Sequence, residues 1–525
     1  MISYIKKNYY LILLILLSLF IFVPTFNLKF SWIDDGWDIQ VARNLIDSFL
    51  KFDFGSIANT IVETNIGRFR PVYWLWQTTV YLIGGSSSAI HYFLHYILIL
   101  SIVLFVYRII FHYTKSNASS FVGSLLLLVF PLNAENWVRL GPAEPMMIFF
   151  VIVAIYNLIV KENIKKATIF MLLALLTKET AVAVFPAFVF YFFLLLITKN
   201  KTKNIFKFLV NMLFLSLGSI LISLLNRKGY SNSYVFSFAT SKYNFELYLK
   251  FLRQVFPAID IFIGALILHV IRPIVNFKLS RIKEFDVVKI LFLSLALLFV
   301  LVQAPWAWVL NRYLLPAVVM GSVFVGLEYY SISQFFKKYI FLNKLFGIFV
   351  FISLSIYSLS SWLKINEQII RQRQSTNNVF LMLKRLAEIT PQNGRIYFNF
   401  VDNDATMEPL FESDLHFKLF FNRHDIAIDF IENKPKNETD YLVISGTPLG
   451  SFPYFEESYF GEDKLVKKHE AFKNNNKFIV LSNFETVTKQ LAKKLYQLVR
   501  NGKIVDGSGI YTDYLLKDTW SIYYY

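Results

Sequence analysis

The 525 residues contain no cysteine, which excludes a disulfide framework, a thiolate metal site and a cysteine nucleophile. No internal repeat or low-complexity stretch is visible, so nothing points to a repeat array or a fibrous segment. Acids are scarce relative to bases, with 36 Asp and Glu against 53 Lys and Arg and a formal net charge of +17. Nucleic acid would need a basic stripe on a folded domain, and none is present. The Lys and Arg residues stand between apolar runs instead, as contact with an anionic leaflet requires. The first apolar run, roughly 9–26 after Lys6-Lys7, lacks a small-x-small cleavage site and is longer than a signal core. It reads as a retained first span.

What is present is apolar. The chain is 55% hydrophobic and 18% aromatic, with a mean hydropathy of +0.48, more apolar surface than a soluble domain carries. The wealth of Phe, Tyr, Lys, Asn and Ile fits an AT-rich, bacterial coding sequence. At about 20 residues per crossing, the runs give roughly 9–26, 88–111, 119–132, 145–160, 164–177, 180–198, 207–225, 255–273, 287–303, 310–330 and 345–362. The basic connections (Lys6-Lys7, Lys115, Lys161 with Lys165-Lys166, Lys199 to Lys207, Arg272 to Lys289, Lys337-Lys338 with Lys344) then all fall on one side. That side is cytoplasmic by the positive-inside rule, and the N-terminus lies there.

The expected fold is therefore mainly α: a polytopic bundle of about 11 spans over 1–362, followed by an extracytoplasmic α/β domain over 363–525. The outside segments are 27–87, 133–144, Lys178-Glu179, 226–254, 304–309 and the C-terminal domain. In the first outside loop, Asp38–Leu50 reads as an amphipathic helix and Pro71–Ile83 as an aromatic interfacial helix, before a break at Gly84-Gly85. In the C-terminal domain, strands are expected at Arg395–Phe400, Tyr441–Ser445 and Lys477–Leu481, and helices near Thr376–Ile389 and Thr486–Val499. Asp402-Asn-Asp404 reads as a turn.

Chemistry concentrates on the outer side. Asp34 and Asp35, in Ser31-Trp-Ile-Asp-Asp-Gly-Trp-Asp38, can serve as a general base or hold a divalent cation beside a phosphate; alternatively they cap the following helix. Glu135, Arg139 and Glu144 lie in a turn between two short spans, where they line a cavity or pair internally. Lys178-Glu179 breaks an apolar stretch too long for one span. Lys178 there meets either a phosphate or a partner elsewhere in the bundle. Arg68 and Arg70, ahead of Pro71, suit a phosphate or lipid headgroups. Arg312, followed by Tyr313 and flanked by Trp306 and Trp308, snorkels or points inward at an anionic donor. His91 and His95 share a helical face, but with no third ligand they read as polar residues near the outer interface.

In this order and sidedness, the motifs Asp34-Asp35, Gly67-Arg68-Phe-Arg70-Pro71, Glu144-Pro145, Lys178-Glu179 and Arg312-Tyr313 with Pro316 resemble the GT-C superfamily of membrane glycosyltransferases. That group includes protein O-mannosyltransferases and aminoarabinose lipid A transferases. The resemblance covers roughly 1–330. It implies an inverting transfer of a hexose or pentose from a polyprenyl-phosphate donor to a lipid, glycan or protein acceptor on the extracytoplasmic face of the plasma membrane. Asp34 would act as base with Asp35 assisting or holding a cation, while Lys178, Arg312, Arg68 and Arg70 would bind the donor phosphate. Glu135, Arg139, Glu144, Glu179 and Tyr313 would line the pocket. The pair is Asp-Asp where the mannosyltransferase branch has Asp-Glu, so the sugar does not carry over. A transporter or flippase and a polysaccharide polymerase or ligase of lipid-linked glycans are the competing classes. The first usually shows inverted repeats with matched broken helices, absent by eye here; the second needs no acidic pair after the first span.

Overall fold

The computed structural model describes residues 2–31, 35–63, 69–130, 134–200, 202–226, 238–255, 263–267, 284–305, 310–337, 339–398, 404–430, 442–446, 467–474, 477–481, 511–515 and 518–524. Helix α1 (Ile2–Phe22) runs into a 3-10 turn over Val23–Asn27, where Pro24 ends the span and Thr25 Oγ1 donates to the Phe22 carbonyl at 2.7 Å. The outer loop folds as α2 (Asp35–Leu50), α3 (Phe54–Glu63) and α4 (Pro71–Gly84). Then come α5 (Ser88–Thr114), α6 (Asn117–Leu128), the short α7 (Ala134–Val138) and α8 (Glu144–Ile155). They are followed by α9 (Ile164–Thr177), α10 (Val184–Ile197), α11 (Lys203–Asn226) and α12 (Phe238–Val255). The last four are α13 (Glu284–Gln303), α14 (Leu315–Phe336), α15 (Ile340–Ile389) and α16 (Asp404–Phe420).

This is a mainly α, multi-pass membrane protein. Among the described residues, six helices are long and apolar enough to cross a membrane: Asn8–Asn27, Ser88–Thr114, Glu179–Ile197, Phe285–Gln303, Asn311–Phe336 and Lys344–Ile370. Asn117–Leu128 and Glu144–Val160 are shorter apolar helices, over two of the stretches expected to span. Bare Phe and Leu side chains such as Phe193, Phe206, Phe214 and Leu217 remain on outer helix faces, where lipid tails are as good a solvent as the core.

Two of the central helices pack unusually close. Ser119 and Gly123 on α6 face Ser322 and Gly326 on α14, each pair one turn apart. A Cβ added at Gly326 would lie 2.6 Å from Ile110 Cδ1 and 3.1 Å from the Ser119 carbonyl oxygen. Small residues at this spacing let backbones touch where no hydrophobic force drives helices together. Gly326→Val should therefore overpack the contact and cost about 1–3 kcal/mol, seen as a lower thermal unfolding midpoint in detergent. An unchanged midpoint would show that this crossing does not hold the bundle.

Two residues beyond Gly326 on the same helix, a charge cluster is buried at Glu328. Lys289 Nζ lies 2.9 Å from Glu328 and 2.8 Å from Asp286. Lys289 belongs to the run assigned by sequence to a cytoplasmic connection, yet its side chain is enclosed between α13 and α14. Pairing offsets the desolvation that an isolated charge would suffer there.

The C-terminal region departs from expectation at its start. A break was expected between a span ending near 362 and a separate helix at Thr376–Ile389. Instead α15 is one helix of 50 residues, because the sequence between Gly347 and Pro391 holds no Pro or Gly to stop it. Its last turns bury Val379, Met382, Leu383 and Leu386 against Ile396, Phe398, Phe417 and Phe430. Strands β1 (Arg395–Phe398), β2 (Ala427–Phe430), β3 (Leu442–Gly446), β4 (Lys467–Asn474), β5 (Lys477–Leu481), β6 (Tyr511–Leu515) and β7 (Asp518–Tyr524) follow. The larger sheet has the order β2-β1-β3-β7-β4, with β1 parallel to β2 and β3, and β7 antiparallel to β3 and β4. Strands β5 and β6 form a separate antiparallel pair. The three expected strands are present within a residue or two; Asp404 opens α16 rather than closing a turn, and the helix expected near 486–499 lies outside the described residues.

Candidate functional site

The break at Lys178 is built by backbone geometry. Helix α9 closes with the Lys178 amide donating to Ala174 at 3.0 Å, and Lys178 itself is extended at φ −157°, ψ 130°. Its ammonium is thereby aimed into the bundle, where it pairs with Glu144 in the first turn of α8. Neither side chain reaches solvent to any extent. Glu179, the next residue, pairs with Arg70 at 3.3 Å, directly before Pro71 opens α4. Arg312 reaches Glu135 at 3.2 Å, and Arg139 holds the same carboxylate oxygen at 3.1 Å from one turn along α7. The ring of Tyr313 joins the two halves: Lys178 Nζ lies 4.7 Å and Arg312 Cζ 5.6 Å from its centroid.

Four cations and three carboxylates thus converge from segments far apart in sequence, leaving one net positive charge in the cluster. Lys178 and Arg139 each have an internal acidic partner, Glu144 and Glu135, and Arg312 is turned toward Glu135. The cations are committed to internal acids, so an incoming anion would share or exchange those partners.

A small cleft adjoins this cluster, lined by Phe30, Asp35, Asp38, Ile39, Gln77, Tyr81, His91 and Leu140. Asp35 stands in the first turn of α2, three residues earlier than the expected helix start, and its Oδ2 accepts from the Ser31 amide at 2.6 Å. Asp38, one turn on, accepts from Tyr73 and Gln77 of α4. Leu140 on the cleft wall directly follows Arg139 of the cation cluster, which ties the two together. Asp34, Arg68, Trp306 and Trp308 lie outside the described residues. Among the described residues no group of three or more His, Asp or Glu side chains is arranged to hold a metal ion; the pair Asp35 and Asp38 alone does not make up a cation site, and the contribution of Asp34 to one is outside this description.

The chain is similar to three solved structures. ArnT from Cupriavidus metallidurans bound to undecaprenyl phosphate matches with 10% identity over 91% of this chain and 97% of its own, at a TM-score of 0.49. The same protein in the apo state matches with 12% identity over 84% of this chain and 93% of its own, at 0.48. The Archaeoglobus fulgidus oligosaccharyltransferase in the apo form matches with 10% identity over 99% of this chain and 89% of its own, at 0.47. No protein-family model and no curated protein matches the sequence.

His91 and His95, expected as polar residues near the outer interface, are both buried within the protein. His91 Nε2 bonds the Gly85 carbonyl at 2.9 Å and His95 Nε2 the Asn136 carbonyl at 2.7 Å, so each ring serves a backbone oxygen rather than a shared metal. Asn136 in turn donates to the Arg312 carbonyl at 3.1 Å, fixing α7 against the start of α14.

Several contributors had no counterpart in the sequence reading. Tyr248 on α12 is buried near Tyr313 and Glu144, and that burial pushes its hydroxyl well above the ordinary range. Glu412 on α16 accepts from the Gly36 amide at 2.8 Å and the Trp37 amide at 3.0 Å, capping the helix that carries Asp35 from 376 and 375 positions away. A Cβ at Gly36 would lie 2.3 Å from that carboxylate, so any larger residue there would push the Glu412 carboxylate aside. Phe30 stacks on Phe420 at 5.2 Å and Trp37 meets Phe411 at 5.4 Å, extending the clasp between the first loop and the C-terminal region.

His416, one turn after Glu412, is fully buried and bonds the Glu412 carbonyl through Nδ1 at 2.7 Å. Burial holds its imidazole down to about 4. The unfolded chain takes up a proton below about 6.5, whereas the folded clasp does not until about 4. Stability from this histidine is thus complete above pH 6.5 and falls as pH drops toward 4. His416→Gln should flatten that slope in thermal unfolding followed between pH 4 and 7; an equal slope in both proteins would remove His416 from the acid response.

Proposed function

We propose that the protein is a membrane glycosyltransferase that moves a hexose or pentose from a polyprenyl-phosphate donor to an acceptor hydroxyl, with inversion, on the extracytoplasmic face. The observation that carries the reading is the cation cluster with one net positive charge beside an acid-lined cleft. A sugar–phosphate–polyprenol diester has one negative charge. When the acceptor oxygen attacks the anomeric carbon, the bond from that carbon to the phosphate oxygen breaks and the departing polyprenyl phosphate gains a second charge. Lys178, Arg312 and Arg70, with Arg68 by its position, are the residues we assign to that phosphate. Charge developing there strengthens its interaction with preorganised cations in a site shielded from water, which is the form of stabilisation that lowers a barrier. The Asp34-Asp35 pair receives the acceptor proton as general base. Glu135, Arg139, Glu144, Glu179 and Tyr313 hold the cations in register, and a divalent cation beside Asp34 and Asp35 would add charge stabilisation at the same phosphate.

The test uses the full-length protein in vesicles with a radiolabelled polyprenyl-phosphate sugar and cell-envelope lipids, glycans and proteins as acceptors. Sugar incorporation with matching release of polyprenyl phosphate is expected. Transbilayer movement of intact donor without cleavage would replace the enzyme by a flippase, and neither binding nor consumption of any such donor would end the proposal.

Sidedness is tested separately, and the lack of cysteine makes the experiment clean. In intact cells an impermeant thiol reagent should label His424→Cys in the C-terminal region and leave Lys165→Cys unlabelled until the cells are opened. The opposite pattern would invert the topology.

A further inference from the structure

Contacts from the C-terminal region bracket Asp35 on both sides along the chain. Before it, Lys29 Nζ lies 5.6 Å from the centre of the Phe380 ring on α15, and Phe30 stacks on Phe420 of α16 with planes 17° apart. After it, the Gly36 and Trp37 amides donate to Glu412 Oε2 and Oε1, and the Trp37 ring meets Phe411. Glu412 is 1% exposed, so the clamp is enclosed rather than a surface contact. The partners all lie between 380 and 420, on two helices of the C-terminal region.

The first amides of a helix have no partner inside it. An acid or hydroxyl at the helix start ordinarily supplies one. In α2 the Gly36 and Trp37 amides go to Glu412 instead, while Asp35 Oδ2 takes the Ser31 amide. Hydrogen bonds from backbone amides to a carboxylate are charge-assisted and short, and at a helix N-terminus the charge also meets the positive end of the dipole. A carboxylate bonded to two successive amides fixes both the height and the rotation of the first turn of α2. It thereby fixes the direction in which the preceding residue, Asp35, projects into the cleft. We infer that Glu412 is a positioning residue for transfer, and that through it the C-terminal region forms part of the catalytic centre rather than an appendage to it. A reacting group displaced by about 1 Å loses on the order of a hundredfold in rate.

The effect on rate rests on the glycosyl-transfer reading; the clamp does not. In Glu412→Gln one side-chain oxygen remains to accept one amide, and the other position carries only donors. With the full-length protein in vesicles, kcat should fall about ten- to hundredfold, with donor affinity within a few-fold of wild type. Gly36→Ala pushes the same carboxylate aside while leaving Glu412 in place, and should give a similar loss. The double variant should be no slower than the slower single variant, because each removes the same clamp. Losses that multiply would overturn the inference. Ile396→Val loosens the buried core of the C-terminal region without touching the clamp, and should leave kcat unchanged; a loss equal to that of Glu412→Gln would reduce Glu412 to a support of that region's stability. Hydrogen exchange followed by mass spectrometry across 35–45 reads the clamp without any transfer assay. Exchange in the first turn of α2 should quicken in Glu412→Gln, and an unchanged rate would sink the proposal. Faster exchange in a protein whose wild type transfers no sugar would count against the proposed function and leave the clamp standing.

Discussion

Asp35→Asn is expected to lower sugar transfer by a factor of about 10²–10⁴, the usual contribution of a general base, without unfolding the protein. The substitution preserves shape. An amide oxygen can still accept the Ser31 amide proton that Oδ2 now takes at 2.6 Å, so Ser31 keeps its partner. What disappears is the capacity to accept a proton from the acceptor hydroxyl. The measurement is kcat with saturating donor, together with donor affinity; kcat should fall while affinity stays within a few-fold. Asp34→Asn, made in parallel, assigns the role within the pair, since the base is the member whose amide variant loses more. Wild-type rates in both single variants would remove the pair from the chemistry. A loss confined to donor affinity would assign it to binding instead.

Lys178→Met is expected to affect both stability and donor binding. Its ammonium and the Glu144 carboxylate are enclosed together, with 7% and 2% of their side chains exposed. Removing the cation alone leaves a buried carboxylate without its counter-charge, a loss of about 3–5 kcal/mol in comparable pairs. Glu144→Gln in the same protein removes the orphaned charge, so the double variant should recover most of the thermal stability. It should not recover donor binding, because the positive charge facing the phosphate is still missing. Thermal unfolding and binding of a polyprenyl-phosphate sugar, measured for wild type, both single variants and the double variant, separate these effects. Recovery of binding along with stability would reduce Lys178 to a structural ion pair.

How much of this was legible in the sequence follows from the range of the forces involved. The break at Lys178-Glu179 was visible because a helix that must cross lipid advertises its length in consecutive residues, and the charge interrupts it. Strand β5 was visible at Lys477–Leu481 for a similar local reason. The 50-residue α15 could have been read from its lack of Pro and Gly, but the change in polarity near 362 argued for a boundary that the backbone does not have. The true environment of Lys289 was not legible: it falls in a basic run, and only Glu328 arriving from the neighbouring helix turns it into a buried pair. Glu412 gave no signal at all, since nothing local distinguishes it from any other acid on an amphipathic helix.

Hydrophobic periodicity and charge placement along the chain are local properties, and through them the sequence alone determined a mainly α, multi-pass membrane protein with its candidate acids and cations in named breaks between apolar runs. Partner choice is not local. That Lys178 meets Glu144, that Arg70 meets Glu179, that Arg139 and Arg312 share Glu135, and that a carboxylate from α16 caps the helix of Asp35 were decided by tertiary structure. A buried charge takes whichever opposite charge the packing of distant helices brings within reach, and that packing is written in no single stretch of residues.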